Sequence, residues 1–321
     1  HWAESVEKIV RAAEQASILQ AADITDSDQN EPSILRRQDG HSIYSTHETA
    51  LFTNDAIMSA ERRIVASARR TDGRKVDPLH VDLALLEAAA NERALNAGQT
   101  TLVRELATSG RRVQLALAPA GTGKTYAMRT FGTAWRDSGG SVIGLAPTAA
   151  AAAVLREDLG TETDTLAKLV HVVRQQQHHD QLVRLSQASD EQVRHRAAEQ
   201  LAKARPPKHP DWFSRIDSDT VIIVDEAGMA STEDLDVLIA FAQTRGAAVR
   251  LVGDDQQLAS ISAGGVLRDI AHESGALTLS QVVRFSDGAE GAASLALREG
   301  DIAGLGYLAD HDRIHVAADT V

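Results

Sequence analysis

At 321 residues, 43% of them hydrophobic, the chain has length and apolar content for about two domains with buried cores. It contains no cysteine, which excludes disulfides and thiolate metal sites and fits a reducing, cytoplasmic location. The net charge of −12 argues against a protein coated in nucleic acid but not against a local basic groove, and no run approaches the ~18 apolar residues of a membrane span.

His1-Trp2-Ala3-Glu4 is neither a signal peptide nor an initiator, so a piece of a longer protein is expected. Val6, Ile9, Val10, Ala13, Ile18 and Leu19 form a helical stripe in residues 1–22, and this stripe needs a surface to pack on. Residues 23–40, rich in Asp, Ser, Gln and Asn around Pro32, predict a linker. Thr53 or Asn54 can cap a helix that runs to Ala68 with Ile57, Met58, Ile64 and Val65 on its apolar face. After a turn at Asp72-Gly73, Asp77-Pro78 opens another helix through Val81, Leu85, Leu86 and Ala89. Residues 1–94 therefore predict a small, mainly helical accessory domain.

From residue 95 the pattern alternates helix with apolar strand, as in a parallel α/β sheet. The predicted strands are Val113–Leu117, Ser141–Leu145, Thr220–Val224 and Ala248–Val252, and in such sheets the chemistry lies at the C-terminal strand ends. A Gln/His/Arg-rich stretch within residues 170–212 interrupts the pattern and predicts a helical insertion in a lobe spanning 95–275. Within it, Arg174, Arg184, Arg194, Arg196, Lys203, Arg205 and Lys208 form a basic run suited to weak, salt-sensitive contact with single-stranded DNA, or to a solvated helix face.

Ala118-Pro119-Ala120-Gly121-Thr122-Gly123-Lys124-Thr125 lies between the first predicted strand and a helix starting near Tyr126, the context a phosphate-binding loop requires. Its glycines let backbone N–H groups turn toward a phosphate, and the helix N-terminus adds unpaired donors. Lys124 would reach the β- and γ-phosphates of ATP, and the Thr125 hydroxyl would hold Mg²⁺. The usual loop opens with glycine where this chain has Ala118, which requires a negative φ there. A glycine turn before an ordinary helix is the plain alternative.

The strand Val221-Ile222-Ile223-Val224 ends in Asp225-Glu226, a costly acidic pair unless a cation or a reacting group sits beside it. Asp225 would complete the metal's shell and Glu226 would polarise the attacking water. In Gly253-Asp254-Asp255-Gln256-Gln257, the Gln257 amide can donate to a phosphate oxygen and accept from an in-line water, although Gly-Asp-Asp is also a good turn.

Together with Gln99 and Val282-Val283-Arg284-Phe285, these stretches resemble the superfamily 1 DNA helicases of the RecD-like group. The closer similarity is to the helicase region of conjugative relaxase-helicases of the TraA/TrwC type (MobF family). Asp225-Glu226-Ala227-Gly228-Met229, Ala146-Pro147-Thr148-Ala149-Ala150, Arg37-Gln38-Asp39-Gly40 and Phe52-Thr53-Asn54 add to the likeness. The resemblance implies a RecA-like P-loop NTPase lobe. Adenine recognition would fall to Gln99, and ATP would be held along Pro119, Ala120, Gly121, Thr122, Gly123, Lys124, Thr125 and Tyr126. Gln257 becomes the γ-phosphate sensor, Arg284 an arginine finger, and Pro147, Thr148 and Thr165 a track for DNA. A surface role for Arg284 and loop roles for the last three remain open. The implied partners are single-stranded DNA and, in the parent protein, a relaxase domain and the conjugation machinery. The nucleophilic tyrosine and three-histidine site of a relaxase are not found, and Tyr44, Tyr126 and Tyr307 stand alone in the sequence.

The leading expectation is an ATP-driven motor moving 5′ to 3′ on single-stranded DNA. A nucleotide-switched binding module and a small-molecule kinase are the alternatives. Residues 276–321 supply two helical patterns and one strand, Ile314-His315-Val316, which is too little for a second sheet. The second motor lobe is therefore expected to be incomplete, with slow or no turnover and no unwinding by these residues alone.

Overall fold

A computed structural model of the chain describes residues 21–23, 52–91, 94–119, 121–204, 206–253, 265–279, 288–298 and 303–311. Ala120, Gln257, Arg284, the predicted linker beyond Asp23, nearly all of the N-terminal segment 1–22 and the strand expected at 314–316 lie outside them. The chain divides into two compact units, residues 1–63 and 64–321. In the first, β1 (Ala21–Asp23) pairs antiparallel with β2 (Phe52–Asn54), where sequence suggested only the approach to a helix. Helix α1 (Asp55–Ala68) follows directly.

The second unit is a doubly wound α/β layer structure. Its helices are α2 (Pro78–Ala90) and α3 (Ala97–Thr108), followed by β3 (Val113–Leu117) and α4 (Lys124–Asp137). Then come β4 (Ser141–Ala146), α5 (Ala149–Leu159), β5 (Glu162–Thr165) and α6 (Leu166–Leu185). Two helices, α7 (Glu191–Lys203) and α8 (Asp211–Ser214), precede β6 (Thr220–Val224). The unit continues with α9 (Thr232–Arg245), β7 (Ala248–Gly253), α10 (Val266–Ser274) and β8 (Ala276–Thr278), then α11 (Gly288–Arg298) and α12 (Ala303–Asp310).

The six strands are ordered β5-β4-β6-β7-β3-β8 and every pairing is parallel, so all C-terminal ends share one edge. The four predicted strands are present within a residue at their ends, and the α/β class holds. β5 was not anticipated, because Glu-Thr-Asp-Thr carries no apolar run. It is an edge strand with a single partner, so polar side chains suit it.

Strand alternation supplies a core on each face. Leu115, Leu145, Ile222, Val224 and Leu251 face α6 and α9, meeting Leu169, Leu235 and Leu238. Ala116, Val221, Ile223 and Val252 face the other side, with Leu102, Leu106, Phe131, Trp135 and Leu155. Local signals set the helix limits: Asp77 and Asn96 accept hydrogen bonds from Leu79 N and Gln99 N, and Gly160 and Gly246 end α5 and α9 in left-handed geometry. Trp135 is fully buried and donates to Asp219 O at 2.8 Å, so Trp135→Ala should cost about 3–5 kcal/mol.

Among the described residues, one core residue is charged. Arg250 on β7 is completely buried, with Nε and Nη2 donating to Leu106 O at 3.0 and 2.8 Å. Its Nη1 donates to Arg111 O at 3.0 Å and Val249 O at 3.1 Å, and its guanidinium lies 5.8 Å from the Trp135 ring centroid. Leu106 O belongs to the last turn of α3, which favours a cation by its dipole. Burial pushes the Arg250 pKa down to about 9, which leaves it charged at neutral pH.

Candidate functional site

The loop after β3 and the turn after β6 open at the same sheet edge, separated by the single strand β7. Ala118 N donates to Gly253 O at 2.8 Å and Asp225 N donates to Leu145 O at 2.8 Å, so neighbouring strand ends fix both segments. In the loop, Gly121 and Gly123 have φ of 84° and 75°, where an L side chain is strained, while Ala118 is not left-handed. Pro119 is buried. Thr122 is fully buried, its hydroxyl donating to Pro119 O at 2.8 Å, and this bond closes the loop on itself.

Gln99 Nε2 donates to Thr122 O at 2.8 Å, while its Oε1 accepts from Asn96 N at 3.0 Å. Gln99 therefore completes the capping box of α3 and braces the phosphate loop with one amide. The Asn-x-x-Gln spacing is the signal in sequence that could have found the first of these roles. Nothing in sequence points to the second, since it depends on where α3 docks.

Lys124 opens α4 and carries the site's electrostatics. Its Nζ lies 2.8 Å from Asp225 Oδ1 and 2.7 Å from Glu226 Oε1. Burial works against the ammonium, but the charge and hydrogen bonds of Asp225 and Glu226 outweigh it and hold the Lys124 pKa above its ordinary value. Glu226 is left-handed at φ 49°, the one non-glycine residue with positive φ among those described. That conformation swings the chain off β6 and into the 3₁₀ turn Ala227–Met229.

Thr125 is exposed at the start of α4, and the Tyr126 hydroxyl donates to Ala88 O at 3.2 Å. Pro147 follows β4. Thr148 and Thr165 are N-caps, accepting from Ala151 N and Lys168 N at 3.1 Å each, so both hydroxyls have structural work at the same sheet edge. Among the described residues no group of three or more His, Cys, Asp or Glu is placed to hold a metal ion, and no helix is long and apolar enough to cross a membrane.

The residues fit a Mg²⁺–nucleotide group. Two glycines in left-handed geometry form a loop that a Cβ would strain, a lysine points from it, and two carboxylates and an exposed threonine offer hard oxygen ligands. The geometry brings Gln99, the loop and the two acids to one place.

Residues 94–319 match the model of an AAA domain. The chain is 27% identical over 274 residues to the conjugal transfer protein TraA of Rhizobium radiobacter, covering 84% of this chain and 21% of that one. It is 27% identical over 219 residues to the probable conjugal transfer protein TraA of Sinorhizobium fredii, covering 68% of this chain and 16% of the relative. With TraA of Agrobacterium fabrum it shares 24% over 273 residues, again 84% and 21%. The chain thus spans about a fifth or less of the length of these relatives.

Proposed function

Since the chain belongs to the AAA-domain family that matches it over residues 94–319, we propose that it is the ATP-binding lobe of a helicase-type motor acting on single-stranded DNA. The observation that carries this reading is Lys124 within 2.8 Å of both Asp225 and Glu226 at the mouth of a glycine loop. Lys124 is a cation drawn to an anionic phosphate, and its two carboxylates are those a divalent metal would take over once the lysine turns to the nucleotide. Thr125 and Asp225 would hold Mg²⁺, which supplies neutralisation of phosphate charge when bound.

Glu226, at the end of a strand and tilted off it, accepts the proton of a water attacking the γ-phosphorus, and ADP leaves as the bond to its β-phosphate oxygen breaks. Gln99 keeps Thr122 and the loop in register for this step, and the adenine contact assigned to it from sequence would require its amide to exchange one of its present partners. Gln257 and Arg284 are assigned from sequence to sensing the γ-phosphate and to supplying positive charge as it departs. Movement 5′ to 3′ is implied by the RecD-like resemblance read from sequence, and a role in conjugal DNA transfer, with a relaxase domain in the parent protein, by the resemblance to conjugative relaxase-helicases; both belong to this proposal.

A second reading is favoured by the same ion pairs. Because Lys124 must leave both acids before nucleotide can be held, the site also suits a nucleotide-switched binding module with little turnover. ATP turnover measured with and without single-stranded DNA separates the readings. Stimulation supports the motor, and DNA binding without turnover supports the module. Nucleotide binding indifferent to DNA in both assays would sink the DNA-linked reading.

A further inference from the structure

We propose that the cleft between α6 and a wall formed by Ala204, Pro206, Pro207 and Lys208 is a second anion site, built for a phosphate group in the backbone of single-stranded nucleic acid. The inference rests on the reading of the chain as a DNA motor and adds a place where the strand is held. The cleft has a volume of about 390 Å³ and shares no described lining residue with the glycine loop. Lys168, His171, His178 and His179 line it from α6, in one helical stripe over buried Leu182, and Lys208 lines it from the opposite wall.

Its chemistry is one-sided. The chain has 45 Asp and Glu against 33 Lys and Arg, yet none of the described lining residues is acidic. Neither Lys168 nor Lys208 is ion-paired with a described residue. The Nδ1 atom of His179 is buried with no hydrogen-bond partner, which leaves a buried polar atom to be satisfied by something that enters. Pro206 and Pro207 in the facing wall have no N–H, so the donors come chiefly from lysine, imidazole and the Gln175 amide rather than backbone.

Phosphate suits these donors better than the alternatives. A metal is disfavoured, because no three histidines or carboxylates among the described residues are placed to share one. A stacked base is disfavoured, because no Phe, Tyr or Trp is among the described lining residues. A phosphodiester brings negative charge and several acceptor oxygens and needs no base-specific contact, which gives sequence-independent, salt-sensitive binding. Part of the basic run read from sequence is engaged elsewhere, since Arg174 pairs with Asp234 and Arg194 donates to Ala188 O. Lys168 and Lys208, without a described ion pair, line the cleft instead.

The test uses the 321-residue chain and a fluorescein-labelled oligo-dT at low salt. Lys168→Glu combined with Lys208→Glu should weaken oligomer binding about tenfold or more and flatten its salt dependence, while ATP affinity stays unchanged. In the wild-type protein the oligomer should shift the imidazole resonances of His171, His178 and His179, a readout that does not depend on the variant folding. Unchanged oligomer affinity in a folded double variant, or unmoved imidazole resonances, would overturn the inference. If inorganic phosphate moves those resonances and the oligomer does not, the site takes a free anion and the nucleic-acid assignment is wrong. Lys124→Ala tests the other reading separately: equal ATP affinity in that variant removes the nucleotide site, while the imidazole shifts still decide the cleft.

Discussion

Lys124 and Arg250 are two cations of one sheet, and they are held in opposite ways. Lys124 sits at the open edge between two carboxylates, with side-chain exposure of 18%, and its ammonium is stabilised in charged form. Arg250 has no carboxylate partner among the described residues and no exposure, and it is fixed by backbone carbonyls that cannot leave. In the proposed nucleotide site the lysine's partners would be exchanged for phosphate and metal, each side of the exchange replacing one ionic contact by another. The arginine's partners are part of α3 and the turn after it, so moving it would unmake the fold. A buried charge without a counter-ion therefore marks structure here, and a partly exposed charge with two counter-ions marks the proposed nucleotide-binding end.

The comparison breaks most visibly at Glu226. Glu226→Gln keeps size and leaves Asp225 to hold Lys124, so nucleotide binding should persist while turnover falls about 10²–10⁴-fold, measured by single-turnover phosphate release. Next in size, Lys124→Ala should lower ATP affinity by about 10²-fold or more in isothermal titration, with little loss of melting temperature. Arg250→Met should show the inverse pattern. The carbonyls of Leu106 and Arg111 lose their donors inside the protein, so unfolding free energy in urea should drop by about 2–4 kcal/mol with ATP affinity retained in the folded fraction. If Arg250→Met weakened ATP binding as much as Lys124→Ala, the division between structural and working cation would be wrong.

The smallest effect is expected at Asp72, whose carboxylate is held well below the usual range, first by its hydrogen bond from Arg70 and then by that from Arg112. A depressed carboxylate contributes stability above its unfolded pKa of about 3.9 and loses it as pH falls through the folded value. Melting temperatures of wild type and Asp72→Asn should therefore differ slightly at pH 7 and converge in strong acid.

What sequence made legible was local. The strands and their chemical ends could be read because an apolar run followed by Gly-Lys-Thr or Asp-Glu is contained in a dozen residues. Arg250 was not legible: Ala248–Gly253 shows a polar interruption in a strand, but the oxygens that satisfy it come from residues 106 and 111, more than a hundred positions away. β5 escaped for a related reason, since an edge strand of Glu, Thr and Asp has no periodic apolar signal. The Lys168–His171–His178–His179 stripe could be seen as a helical spacing, yet its meaning depends on the Pro206-Pro207 wall that faces it. Gln257 and Arg284 remain assignments from sequence.

The left-handed backbone at Glu226 bears on how this protein could change under selection. A non-glycine residue there carries a conformational cost of about 1–2 kcal/mol, which asparagine bears more easily. Glu226→Asn should therefore keep or raise the melting temperature while abolishing turnover. A library screened for heat resistance alone would drift toward asparagine at this position and discard the chemistry, whereas one screened for ATP hydrolysis would retain the strained glutamate.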